Sequence, residues 1–403
     1  MIGKRLTGLM TILLCLPLMA ARGHGLRFTQ GDSSLCIPFD GSNRHIAFQG
    51  RLNERDGMRI VLDTGAGGSV IDATRAAELG LEKRGEAHAL GAGGAEQGIL
   101  VGGVDVQIPG VQLVDQHMSA LPLAALGAQS GRKLDGILGH PVFAQSVVEV
   151  DYAKQCVSLF NPSSYRYKGS GVSVPLTFID NTPYVEARVE LPDGRALKGK
   201  FLIDTGASTS LALSPGFVEQ EAVLASLGKT MAMQARGVGG PTDVRLARVG
   251  KLELAGFSLA QPVAALQPKG AGIISAEGTA GNIGGGVLSR FKVIFDYPKR
   301  RMILEPGPDI DLPFETDMSG LGLVASGADL SQINVTRVLD GSPALEAGVR
   351  AGDEIESVNG KPVAEVGLIA LREQLRREGQ DVKLTLKRGH ERITLGLKTR
   401  RMI

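Results

Sequence analysis

The chain has 403 residues and a formal net charge of +2 at neutral pH. That length predicts two or three domains with sizeable cores, and so small a charge, with no run of Lys and Arg, sets nucleic acid aside as a partner. With 55 Gly and no Trp, and with β-branched runs punctuated by Gly and Pro outnumbering helical patterns, the composition favours an all-β class.

In chain order, Lys4 and Arg5 precede an apolar run at 6–16, then Pro17 and small residues ending near Ala21 or Gly23. This reads as an export signal over 1–23 and places the protein in the periplasm or outside the cell. The run is short for a transmembrane helix; an uncleaved anchor, the only membrane attachment considered, is the alternative. Cys15 follows Leu14 rather than a small residue, against a lipoprotein signal. Signal removal leaves Cys36 and Cys156, an even pair that suggests, in an oxidising compartment, a disulfide closing the first half.

Strands at 35–39 and 46–52 lead into Ile60-Val61-Leu62-Asp63-Thr64-Gly65-Ala66. An aliphatic run here delivers a carboxylate to a tight turn, where Gly lets backbones approach closely and Thr can bond a facing loop. Asp72 is placed to cap a short helix that stops at Gly80. A turn at Gly91-Ala92-Gly93-Gly94, a strand at 106–111, Gly136-Ile137-Leu138-Gly139 and a strand at 147–152 follow.

The second half repeats this order. Strands at 172–176 and 184–189 precede Phe201-Leu202-Ile203-Asp204-Thr205-Gly206-Ala207. Ser214 and Pro215 open a helix expected to close at Gly228. Then come Gly237-Val238-Gly239-Gly240, a strand at 252–257, Gly281-Asn282-Ile283-Gly284 and a strand at 292–297. Gly91 and Gly237 are related by the same offset as Gly110 and Gly256, which marks an internal duplication. Asn282 stands where the first half has an aliphatic residue.

A Pro-rich, acidic stretch at 305–313 breaks the pattern and reads as a linker. Beyond it stand Gly320-Leu321-Gly322-Leu323, then Gly341-Ser342-Pro343-Ala344 running to Gly352-Asp353-Glu354-Ile355, and Val358-Asn359-Gly360-Lys361-Pro362. A helix over 368–377 and a hairpin turning at Arg388-Gly389-His390 complete this part.

Two Asp-Thr-Gly-Ala turns, each followed by a hydrophobic strand ending in Gly, resemble the aspartic peptidases of the pepsin and retropepsin type; the last part resembles a bacterial PDZ domain. The resemblance implies an all-β fold: two closed-barrel lobes related by pseudo-two-fold symmetry, at 24–162 and 163–307, a linker at 308–317, and an α+β PDZ domain at 318–403. It implies Asp63 and Asp204 as a catalytic dyad that polarises one water, with loop support from Thr64, Gly65, Ala66, Thr205, Gly206 and Ala207. The turns holding Gly91, Gly93 and Gly94, and Gly237, Gly239 and Gly240, correspond to substrate-covering flaps, although neither carries the Tyr of pepsin-type flaps. Amides around Leu321, Gly322 and Leu323 would hold a peptide's terminal carboxylate; the alternatives are a domain that regulates access or one that merely packs against the protease lobes.

A single Asp-Thr-Gly is commonly a turn closed by an Asx hydrogen bond; two copies in one context point to the dyad. The six His form no His-Glu-x-x-His pair or Cys/His ligand spacing, so neither metal nor cofactor is expected. Gly228-Lys229-Thr230 lacks the upstream Gly of a phosphate loop, and no serine-nucleophile turn is present. The expected activity is that of an aspartic endopeptidase on protein or peptide substrates, a monomer sufficing for the site. A catalytically silent peptide-binding adaptor is the alternative.

Overall fold

The structure, a computed structural model, describes residues 25–268 and 278–403. The export signal expected over 1–23 lies outside the described residues. Among those described, no helix is long and apolar enough to cross a membrane.

Strand Arg55–Leu62 ends on Ile60, Val61 and Leu62, buried on both faces because the strand lies between two neighbours. Ile46–Leu52 pairs with it antiparallel and Gly136–Leu138 parallel. Gly136–Leu138 then pairs antiparallel with Val70–Asp72, which runs parallel to Val111–Leu121. Beyond residue 162 the same sequence of pairings recurs. Ala196–Asp204 lies between Thr182–Glu190, antiparallel, and Gly281–Gly284, parallel. Gly281–Gly284 pairs antiparallel with Leu211–Leu213, which runs parallel to Val263–Leu266. The first set belongs to an eight-stranded sheet and the second to a ten-stranded one.

A third sheet joins them. Its six strands run in the order Val172–Pro175, Arg301–Pro306, Phe291–Asp296, Val147–Asp151, Cys156–Phe160 and Ser33–Pro38. The seam is antiparallel, with Val148 opposite Phe295 and Val150 opposite Val293. Val147, Val148, Val150, Val293, Ile294, Phe295, Ile303 and Leu304 are all buried. A hairpin so apolar on both faces cannot leave an open edge in water, so the closing hairpins pair with each other. The boundary expected at 162 therefore falls between strands of one sheet. Cys36 and Cys156 form a disulfide, with Cα atoms 4.7 Å apart, and the bond lies at the outer edge of this shared sheet rather than across the first barrel.

The expected caps are in place. Asp72 accepts from Thr74 and Arg75 at the start of Ala73–Glu78, and Ser214 accepts from Phe217 at the start of Pro215–Gln220. The second helix ends before Gly228 because Ala222 turns left-handed, at φ 46°, ahead of a 3-10 turn at Val223–Ser226.

The stretch read as a linker is fastened. Arg290 donates to the carbonyls of Asp309, Ile310, Leu312 and Pro313, and its guanidinium lies 3.5 Å above the ring of Phe314. After it comes a separate core around Ile333, Val335, Ile355, Leu371, Leu384 and Leu386. Its sheet runs in the order Leu321–Ser326, Gln332–Val338, Glu354–Val358, Asp381–Arg388 and Glu391–Lys398, covered by the helix Val363–Leu375.

Candidate active site

The strands carrying Asp63 and Asp204 end facing each other, and their turns interlock. The amide of Thr64 donates to Thr205 Oγ1 at 3.0 Å, and that of Thr205 to Thr64 Oγ1 at 3.0 Å. Each hydroxyl then donates to the opposite strand, Thr64 to the Ile203 carbonyl at 2.7 Å and Thr205 to the Leu62 carbonyl at 3.0 Å. Both threonines are buried, so four polar groups that would each cost about 1–3 kcal/mol unpaired are satisfied across the interface. A Cβ on Gly65 would stand 2.7 Å from Asp204 Cγ, and one on Gly206 would collide with the Asp63 carboxylate. Only glycine lets each turn come this close to the other carboxylate.

The two carboxylates lie close enough for each to perturb the other. Burial, then the charge of Asp204, pushes Asp63 well above the usual carboxylate range. Burial also raises Asp204, but its surroundings pull the other way. Asp204 Oδ1 accepts from the amides of Gly206 at 2.9 Å and Ala207 at 3.0 Å, and Oδ2 accepts from the side-chain amide of Asn282 at 2.6 Å. Asp63 Oδ1 accepts from Gly65 at 2.8 Å, and the Gly206 amide also lies against this carboxylate. The hydrogen bonds favour the ionised form of Asp204 more than that of Asp63.

Beneath the dyad the walls are aromatic. Tyr297 stacks on Phe143 with ring centroids 5.1 Å apart, and burial followed by the charges of Asp63 and Asp204 raises its phenol far above the ordinary value. His45 is pulled down to about 4, chiefly by burial, and is neutral in the folded protein. Arg44 donates to the Ser208 carbonyl at 3.1 Å, fastening the segment after the second turn.

The two glycine turns tip hairpins that meet each other: Lys83–Gly91 with Gly94–Ile108, and Met231–Gly237 with Gly240–Arg248. Gly93 donates to the Val238 carbonyl at 2.9 Å, and Thr242 Oγ1 to the Ala92 carbonyl at 3.4 Å. A Cβ on Gly93 or Gly239 would fall on the backbone of the opposite tip. Gly91, Gly94, Gly237 and Gly240 complete the same two tips. Val238 packs beside Ala66 and Leu126 on an apolar patch formed by Leu121, Leu123 and Ile137. Through Val238 the joined tips share this patch with Ala66, the residue after the first Asp-Thr-Gly.

In the C-terminal unit, Leu321, Gly322 and Leu323 begin the outermost strand. The Leu321 amide donates to Ser319 Oγ at 3.1 Å, and the preceding amides of Ser319 and Gly320 donate to the Asp317 carboxylate at 3.0 and 2.6 Å. Sequence reasoning missed Asn282, whose only signal was a polar residue in a slot that is Ile137 in the first half. It also missed Arg44, His45 and Tyr297, which stand in no motif. Among the described residues no group of three His, Cys, Asp or Glu is placed to hold a metal ion.

Two half-buried carboxylates thus face each other on interlocked Asp-Thr-Gly turns. Residues 48–142 and 185–285 match the aspartyl protease family model, one segment containing Asp63 and the other Asp204, and residues 309–387 match the PDZ domain model. The chain thus combines an aspartyl protease region with a C-terminal PDZ domain. No curated protein matches it.

Proposed function

We infer that the protein is an exported aspartic endopeptidase that cleaves protein or peptide substrates at a dyad of Asp63 and Asp204. Its two lobes, 24–162 and 163–307, would be halves of a duplicated unit with pseudo-two-fold symmetry, and its PDZ domain would bind peptide. The observation that carries the reading is the pair of half-buried carboxylates brought face to face by interlocked Asp-Thr-Gly turns, so close that the charge of Asp204 raises Asp63. Like charges so placed cannot both ionise cheaply, so one proton is shared.

The asymmetry around the dyad supports a division of roles. Asp204, with Asn282, Gly206 and Ala207 donating to it, is the ionised partner and general base; Asp63 keeps the proton. In the reaction, Asp204 takes a proton from a water between the carboxylates as the water oxygen attacks the scissile carbonyl carbon. Asp63 gives its proton to the carbonyl oxygen, forming a neutral gem-diol. Collapse returns a diol proton to Asp63, the proton held on Asp204 passes to the amide nitrogen, and the C–N bond breaks. Atoms and charge balance without a covalent enzyme adduct.

The test is digestion of a peptide library by the purified protein beside its Asp63→Asn variant. Cleavage by the wild type that is absent in the variant supports the reading. A correctly folded wild type that cleaves nothing across mildly acidic to neutral pH leaves the silent adaptor as the function.

A further inference from the structure

The outer strand of the PDZ sheet, Leu321–Ser326, pairs on one side only, with Gln332–Val338. Such an edge, beside a helix, is where a peptide adds as an extra strand. In this protein the place is taken. The short helix Ala124–Ser130 of the protease region packs on the edge strand. Gly131, left-handed at φ 71°, backs onto the PDZ helix so closely that a Cβ there would stand 3.0 Å from Leu368 Cβ.

Arg372, on the PDZ helix, locks the arrangement. One terminal nitrogen donates to the Leu323 carbonyl at 2.7 Å and the other to the Gln129 carbonyl at 2.6 Å. The Leu323 carbonyl belongs to the edge an added strand would pair with, so Arg372 occupies a position an incoming amide would use. Among the described residues Arg372 makes no salt bridge; burial and the nearby charge of Arg376 pull it down to about 10. A guanidinium held chiefly by carbonyls is replaceable, since backbone amides can satisfy the same acceptors. From the far side, Asn43 Nδ2 holds the Ser130 carbonyl at 2.8 Å.

We propose that the segment 124–131 is an internal ligand of the PDZ groove, and that an apolar peptide reaches the groove only by displacing it. The proposal rests on the reading of that groove as a peptide site. The peptide is apolar because Leu321, Leu323 and Leu368 belong to the apolar core cluster beside that edge. The displacement is felt at the cleft: Leu126 of the same segment, Val238 of the second hairpin tip and Ala66 all pack against the patch of Leu121, Leu123 and Ile137. Peptide occupancy of the PDZ domain therefore loosens one wall of the peptidase cleft and the lobe-two flap that rests on it.

The test uses the full chain and an immobilised array of random decapeptides with apolar C-terminal residues, the best binder then made soluble. Arg372→Met keeps the side-chain bulk and removes both bonds. Asn43→Ala releases Ser130 from the protease side, where it cannot unfold the PDZ core. Both variants should bind the peptide at least ten-fold more tightly than wild type. Saturating peptide should speed hydrogen exchange at 124–131 and at the flap turn 237–240 of the wild type. Equal affinities with 124–131 still protected in the complex would overturn the proposal, because the groove would then be open with the segment in place. No binding by any of the three proteins would overturn it too. Asp63-dependent cleavage in the same preparations shows whether the peptidase reading stands regardless.

Discussion

The two Asp-Thr-Gly loops share a backbone, a sequence of strand partners and a pair of reciprocal threonines, yet one buried neighbour separates them. In the first, Ile137 lies opposite Val61; in the second, Asn282 lies opposite Leu202. The aliphatic residue gives Asp63 no hydrogen bond, whereas the amide gives Asp204 one at 2.6 Å. Two like loops thus surround their carboxylates differently, Asn282 adding to the Ala207 amide that Asp204 also accepts.

The largest expected effect tests whether the loops form one site at all. Asp63→Asn and Asp204→Asn should each lower peptide cleavage by roughly 10²–10⁴-fold, with unchanged circular dichroism; a single variant that keeps most of its activity breaks the shared dyad. Asp63→Asn should also reshape stability. Both dyad groups have folded values above the ordinary Asp value, so the folded chain binds protons more tightly than the unfolded one. The dyad's own contribution to stability is fullest below the ordinary Asp value and is lost as pH rises through the folded values. Melting temperatures followed from about pH 4 to about pH 8 should decline less steeply in Asp63→Asn than in wild type.

Next comes the part the loops share. Thr64→Val and Thr205→Val each strand a buried amide and a carbonyl on the other side, at about 1–3 kcal/mol per group. Equal losses of stability by urea unfolding are expected. A marked inequality would show that the interlock is less reciprocal than its distances.

Smaller in energy but more informative is Asn282→Ile, which makes the second loop resemble the first. Removing a hydrogen bond to the ionised form raises the pKa of Asp204, so the acid limb of the rate profile should move up by about one pH unit. An unmoved limb means that Asn282 does not set the base.

The smallest effect concerns Ala66 and Ala207, which directly follow the two Asp-Thr-Gly turns and offer no hydroxyl to the carboxylates. Ala66→Ser should lower the apparent values of the pair. Ala207→Ser should lower them less, because Asn282 already donates to Asp204. Equal shifts would argue that the two carboxylates are chemically alike after all.

These contrasts also separate what the sequence disclosed from what it concealed. Asp63, Asp204, the glycines at 91–94 and 237–240, and the Gly-Leu-Gly of the PDZ strand are readable because a residue type is demanded by a local turn. Asn282 was visible only as a departure, since what it bonds lies 78 positions away. The pairing of Val147–Asp151 with Phe291–Asp296 left no local trace; its strands look like any other apolar run. Ala124–Ser130 is built of small residues with one Leu, and nothing in that composition says which groove it fills. The described structure likewise turned the expected linker into a segment clasped by Arg290.

The shared six-stranded sheet has a consequence for the order of synthesis. A chain emerging from its amino end completes the hairpin Val147–Asp151 and Cys156–Phe160 long before Phe291–Asp296 exists to cover it. Until then the edge is unpaired and apolar, and the nascent first half is a fragment rather than a domain. The seam closes over about 140 intervening residues, a slow, late event of the kind that loop-closure entropy delays. Neither Asp-Thr-Gly loop can lock its threonine until the other has been made, so the two carboxylates come together only when most of the chain has been delivered.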